Sequence, residues 1–158
     1  MKFKETNQEM MTTSFATIKG DTSLKEAYEA VKKNLEGPPH APGLVVVDAA
    51  GKYAGLFTVD DLMRELTGLY RQGCEQAEKE GGSERFFSRC ELVGLKQAAD
   101  IMSAKWAAVQ AGDGFATACE AILYKKLNLV AVVDASSKPV GIITRRKVLV
   151  EIAPRMFK

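Results

Sequence analysis

The chain carries one pattern twice, and that repeat restricts its fold more than any other feature. Met11-Thr12, Ile18, Leu24 and Ala27 recur as Met102-Ser103, Val109, Phe115 and Ala118, each 91 positions on. Val46-Val47-Asp48, Gly55 and Thr58 recur as Val132-Val133-Asp134, Gly141 and Thr144, now 86 positions on. The difference falls in the Gly/Pro-rich run from Gly37 to Gly43, which the second copy lacks. A unit of roughly 55 residues is too small to bury a good core alone, so the copies must pack on each other. The 158 residues then form one pseudo-symmetric module, and a ligand is expected at the seam between copies.

Each copy reads as strand, helix, strand, strand, helix. In copy one, Ala16–Ile18 is a short strand, and Ser23-Leu24-Lys25-Glu26 has the spacing of a helical capping box. Leu24, Ala27, Tyr28 and Val31 follow at the period of one buried helical face. That helix must stop at Gly37-Pro38-Pro39, because proline has no amide to donate and disfavours the helical conformation of the residue before it. Leu44–Asp48 and Tyr53–Phe57 are strands, and Thr58 opens a helix to about Gly68. In copy two, Phe115, Ala118, Cys119, Ile122 and Leu123 form the helical stripe. Leu129–Asp134 and Val140–Ile143 are its strands, and Thr144 starts a last helix ending at Pro154. Both strand pairs are apolar almost throughout, so both faces of each sheet should be covered. The repeats span 10–68 and 97–153, with 69–96 expected to be a mobile inserted linker because it is polar and broken by Gly73, Gly81 and Gly82.

Composition excludes several classes. A net charge of +2 leaves no footprint for nucleic acid or a membrane surface, and no apolar run approaches the roughly 18 residues that span a bilayer. Met1 to Thr13 is polar and reads as no signal peptide. Cys74, Cys90 and Cys119 show neither metal nor redox spacing, so a reduced, cytoplasmic chain is expected. His40 is the only histidine and sits among prolines, which argues against a metal site. There is no nucleophile–base pair and no phosphate-cradling Gly-x-x-x-x-Gly-Lys loop, so an enzyme is not expected.

The tandem of Met-[Thr/Ser], short strand, amphipathic helix, strand ending Val-Val-Asp and Gly-x-x-Thr opening a helix resembles a CBS-domain pair, or Bateman module. Copy one shows Gly55-Leu56-Phe57-Thr58-Val59-Asp60-Asp61; copy two shows Gly141-Ile142-Ile143-Thr144-Arg145-Arg146-Lys147. The resemblance implies an α/β fold of two repeats packed with pseudo-twofold symmetry. It also implies an adenine nucleotide (AMP, ADP or ATP) or S-adenosylmethionine between the repeats, a regulated partner protein and a homodimer. The helices starting near Ser23, Thr58, Gly114 and Thr144 would be available to that dimer. A CBS-type pair that binds no ligand and serves as a dimerisation or docking domain is the alternative.

Two readings stand for Thr58 and Asp61. Thr-x-x-Asp is close to a capping box, and an acid in the first helical turn suits the helix dipole. The resemblance implies instead that Asp61 accepts both ribose hydroxyls, while Thr58 and free helix amides meet a phosphate. The composite pocket it implies sets Asp61 opposite Trp106-Ala107 and Asn128-Leu129-Val130, with adenine against the Trp106 ring or that ring in the core. Copy two departs from the motif: Lys147 stands at the aspartate position and cannot accept a bond from a ribose hydroxyl. Arg145, Arg146 and Lys147 place three cations in a first turn, against the helix dipole. Either these side chains lie in solvent, or Thr144, Arg145 and Arg146 hold an anion such as a polyphosphate. In the insertion, Phe86-Phe87 between Arg85 and Arg89 is either a docking patch or packs back on the module.

Overall fold

The computed structural model describes residues 4–73, 82–103 and 107–157. Copy one consists of β1 (Thr17–Lys19), α2 (Leu24–Glu36), β2 (Gly43–Val47), β3 (Tyr53–Thr58) and α3 (Val59–Gly73), preceded by a one-turn helix α1 (Asn7–Met10). After α4 (Gly82–Val93) and the short α5 (Ala98–Ile101), copy two repeats the order. It has β4 (Ala108–Gln110), α6 (Phe115–Lys125), β5 (Leu129–Val133), β6 (Pro139–Thr144) and α7 (Arg145–Met156).

The duplication is carried down to register. In each sheet the middle strand pairs parallel with the first and antiparallel with the last, in the orders β1-β2-β3 and β4-β5-β6. Each antiparallel ladder shifts at the same place, between Val46 and Val47 in copy one and between Val132 and Val133 in copy two. Side chains alternate along the strands. Leu44, Val46 and Phe57 face α2, while Val45 and Leu56 face the other sheet, where they join Leu129, Ala131 and Ile142 in a seam core. Val130, Val132 and Ile143 turn the other way, onto α6 and α7. Both faces of both sheets are therefore covered.

The leading segments are exchanged between the copies. Thr12 exchanges backbone hydrogen bonds with Ile142 of copy two at 2.8 and 3.0 Å, and the Ser103 amide donates to Leu56 O of copy one at 2.7 Å. This close approach explains two of the repeated glycines. A Cβ at Gly55 would lie 2.7 Å from the Ser103 carbonyl oxygen, and one at Gly141 would lie 2.5 Å from the Met11 sulfur.

Several elements differ from the sequence expectation. The α3 helix runs to Gly73 rather than stopping near Gly68, and α4 occupies the second half of the segment read as a linker. Apolar contacts order it: Phe86 meets the Tyr70 ring edge-on at 5.7 Å between centroids, and Val93 is buried in the copy-one core. Phe86 thus packs back on the module while Phe87 stays exposed. Residues 74–81, including Cys74, lie outside the described residues. Pro154 sits inside α7 rather than ending it, since near a helix end it removes one hydrogen bond while the last turn still closes. Tyr28 and Leu123, expected on buried stripes, are 45% and 60% exposed, because each stripe is narrower than its periodicity suggests.

Candidate functional site

The start of α3 is built around a buried carboxylate. Asp61 is 1% exposed, and Asp61 Oδ2 accepts the Thr58 amide at 2.8 Å and the Thr58 hydroxyl at 3.1 Å. The Thr58 oxygen in turn accepts the Asp61 amide at 3.3 Å, which completes a reciprocal cap. Asp61 Oδ1 takes the Ser103 hydroxyl at 2.5 Å and Arg64 Nη1 at 3.1 Å. A carboxylate this buried is tolerable because four donors replace its water. Ser103 belongs to copy two, so the cap also links the repeats.

Above this cap lies a pocket of about 370 Å3 at the seam. Thr58, Asp60 and Arg64 line it from the α3 side, and Ser103, Ala107 and Asn128 from copy two. Lys125, Lys126 and Leu129 complete that wall. Across it the Asn128 side-chain amide donates to the Asp60 carboxylate, and Arg145 Nη1 donates to Asn128 Oδ1 at 2.9 Å. A chain Asp60–Asn128–Arg145 therefore joins the first turns of α3 and α7.

The expected site residues are brought together in part. Thr58, Ala107, Asn128 and Leu129 share the seam pocket. Asp61 lies beneath its wall with its oxygens already occupied, rather than facing into it. The Val130 side chain is fully buried and points to α6 and α7, because strand alternation sends it away when Leu129 faces the seam. Trp106 lies outside the described residues. Thr144, Arg145 and Arg146 line a different, larger cavity, which meets the seam pocket at Lys126 and Asn128. There Thr144 caps its helix by accepting the Lys147 amide at 3.2 Å, and Lys147 pairs with Glu151 at 2.9 Å. The loop with Pro39, His40 and Pro42 borders that cavity. Sequence reasoning missed Asp60, Arg64 and Ser103. Ser103 had a signal, since Met102-Ser103 repeats Met11-Thr12 and so marks a structurally constrained pair.

Two strand–helix–strand–strand–helix units stacked through their sheets, with a pocket where they meet, define a tandem α/β repeat module. The CBS domain family model matches this chain twice, over residues 8–68 and 98–154, and the chain belongs to that family. Its fold is similar to that of CBSX2 in complex with AMP, at 24% identity and a TM-score of 0.67, covering 97% of this chain and 98% of that one. A CBS domain-containing protein of unknown function from Bacillus anthracis str. Ames Ancestor aligns with a TM-score of 0.70 at 19% identity, over 96% and 95% of the two chains. The cytosolic domain of the Mg2+ channel MgtE, in complex with ATP, has a TM-score of 0.66 at 17% identity, over 95% of this chain and 50% of that one. No curated protein matches the sequence. Among the described residues no helix is long and apolar enough to cross a membrane, and no His, Cys, Asp and Glu side chains cluster as a metal site.

Proposed function

We propose that this CBS pair is a regulatory ligand-sensing module that binds one adenine nucleotide or other adenosyl compound in the seam pocket and thereby controls a partner protein in the cytoplasm. The observation that carries this reading is the composite wall: the helix start at Thr58, Asp60 and Arg64 stands opposite Ala107, Asn128 and Leu129 of the other copy. The AMP and ATP held by the CBSX2 and MgtE structures support the ligand class. The ribose hydroxyls would take Asp61 Oδ1 by displacing the Ser103 hydroxyl, which is the copy-two donor on that oxygen. Arg64 and Lys126, both at the pocket surface, would meet phosphate. The module acts by binding, not by turnover, so its output is a change in how the repeats sit against each other and against the partner. Exposed Tyr28, Leu35 and Met63 on α2 and α3 suit self-association as a homodimer.

Thermal unfolding with AMP, ADP, ATP and S-adenosylmethionine tests this. A ligand at about 100 times its Kd adds about 2.7 kcal/mol of stability, or roughly 5–10 °C for a domain of this size. No shift with any of the four compounds would favour the ligand-free docking domain. That second reading draws on the saturation of Asp61 by its own cap and by Ser103, which leaves no carboxylate oxygen waiting for a ligand.

A further inference from the structure

Asn128 reaches the seam because Lys126 closes α6 in the left-handed region, at φ 54°, and so turns the chain back toward β5. Its main-chain carbonyl accepts the Arg145 amide at 2.8 Å, and its side-chain Oδ1 accepts Arg145 Nη1 at 2.9 Å. Its side-chain NH2 donates to the Asp60 carboxylate on the other repeat. The orientation of the amide is fixed by its partners. A guanidinium can only donate and a carboxylate can only accept, so the oxygen faces Arg145 and the nitrogen faces Asp60. Asp60 and Asn128 stand on opposite walls of the seam pocket, and the bond between them is solvent-exposed, at the rim. Arg145 does not border that pocket.

We infer that Asp60–Asn128–Arg145 is an autoinhibitory latch across the rim of the seam pocket, and that Arg145 is a positioning residue of that site, acting only through Asn128. The inference rests on the nucleoside reading of the pocket given above. The amide of Asn128 carries the donor and the acceptor that suit a nucleobase edge, and both are committed to protein partners. A base must therefore compete with a carboxylate for the NH2 and with a guanidinium for the oxygen, and charged partners make the stronger bonds. A ligand that takes the amide binds only the fraction of molecules in which the latch is open, and its apparent affinity falls by that fraction. Asp60 is exposed and can swing into water when released. A phosphate at the pocket favours that release by like-charge repulsion. Release also frees the Arg145 guanidinium, so a ligand seated beside α3 is felt at the first turn of α7 in the other repeat.

Calorimetric titration of adenosine and AMP into the full chain tests the latch, with Asp60→Ala, Arg145→Ala, Asn128→Ala and Asn128→Ala/Arg145→Ala beside the wild type. Adenosine is uncharged, so a gain in its affinity cannot come from the removal of a nearby charge. Arg145→Ala should bind adenosine about three- to tenfold more tightly than the wild type, the scale of one hydrogen bond. Asp60→Ala should gain as much for adenosine and more for AMP. In the Asn128→Ala background the Arg145 substitution should change nothing. Asp60 and Arg145 are exposed, so both single variants should melt within about 3 °C of the wild type, which verifies that they fold. Unchanged adenosine affinity in Arg145→Ala, or an equal gain with Asn128 already removed, would overturn the latch while leaving the nucleoside reading intact. Binding by Asp60→Ala where the wild type binds neither compound would support a latch that stays shut. Binding of neither compound by any of the five proteins would remove the nucleoside reading and the latch together.

Discussion

The first turns of α3 and α7 occupy matching places in the two copies, yet they are built in opposite ways. In copy one the third position after the capping threonine is Asp61, buried and holding four donors, one of them from the other repeat. In copy two it is Lys147, partly exposed and tied to Glu151 one turn along its own helix. Both threonines accept the amide three residues on, so the local cap survives in both. What differs is reach. Asp61 makes its helix start part of the seam by a buried contact, while Lys147 pairs along its own helix and only Arg145, through Asn128, links that start to copy one. The two copies thus share a scaffold while their helix starts carry different side chains and different partners.

Replacing the two residues should expose this asymmetry most sharply. Asp61→Ala orphans the buried Thr58 amide and removes half the capping box, at a cost of about 2–4 kcal/mol. Lys147→Ala removes only a half-exposed i,i+4 pair and should fall within about 0.5 kcal/mol of wild type. Urea unfolding of both variants measures the difference, and equal costs would break the comparison.

The glycines come next. At Gly55 an added methyl meets the Ser103 carbonyl, a backbone atom that cannot swing aside, so Gly55→Ala should cost about 1–3 kcal/mol. At Gly141 the obstacle is the Met11 side chain, whose sulfur and Cγ can re-rotamer while its Cβ at 3.0 Å must give slightly, so Gly141→Ala should cost less by the same assay.

Ser103→Ala should act on binding. It frees Asp61 Oδ1 from a competitor, so AMP affinity should improve by about 1 kcal/mol, roughly fivefold, in a titration followed by calorimetry. An unchanged Kd would mean that the ribose does not engage Asp61.

Alkali should act on the copies in turn. Burial pushes the Cys119 thiol of copy two up from 9.0 to about 11, and the Tyr53 phenol of copy one up from 10.0 to about 12. Each folded value lies above its unfolded one, so each group's contribution is intact below the unfolded value and lost as pH rises through the folded one. Stability followed by urea unfolding should first fall from pH 9 to about 11 through Cys119, then up to about 12 through Tyr53. Tyr53→Phe should remove the later part of the loss. Copy two, with Pro139 at the matching position, has no counterpart to that later loss.

The sequence carried the architecture because the repeat is written in features that backbone physics reads directly: alternating strands, a Gly-Pro stop after Glu36, and threonines before helices. Its site was less legible. Thr-x-x-Asp can cap a helix or grip a ligand, and only the fold shows Ser103 arriving from the other repeat to take one Asp61 oxygen. Asp60, one position earlier, lines the pocket because one residue of helix turns a side chain by about 100°. Nothing local marks Asn128 as the bridge between Asp60 and Arg145, since its partners lie 68 and 17 positions away. The helix α4 was missed because four charged residues are interleaved with its apolar ones and glycines precede them, and the contacts that order it come from Tyr70 and the copy-one core.

We propose that the two helix starts are unequal and that only the one in copy one holds a nucleoside. Calorimetric titration of AMP into the wild type, Asp61→Asn and Lys147→Ala tests it most directly. Asparagine keeps the shape of the cap and one acceptor oxygen for the Thr58 amide, while its NH2 replaces the oxygen that now accepts from Ser103 and Arg64. One AMP per chain is expected, weakened roughly tenfold or more by Asp61→Asn, the scale of a hydrogen bond to a charged group, and unchanged by Lys147→Ala. Two equivalent sites per chain, or affinity indifferent to Asp61→Asn, would contradict it.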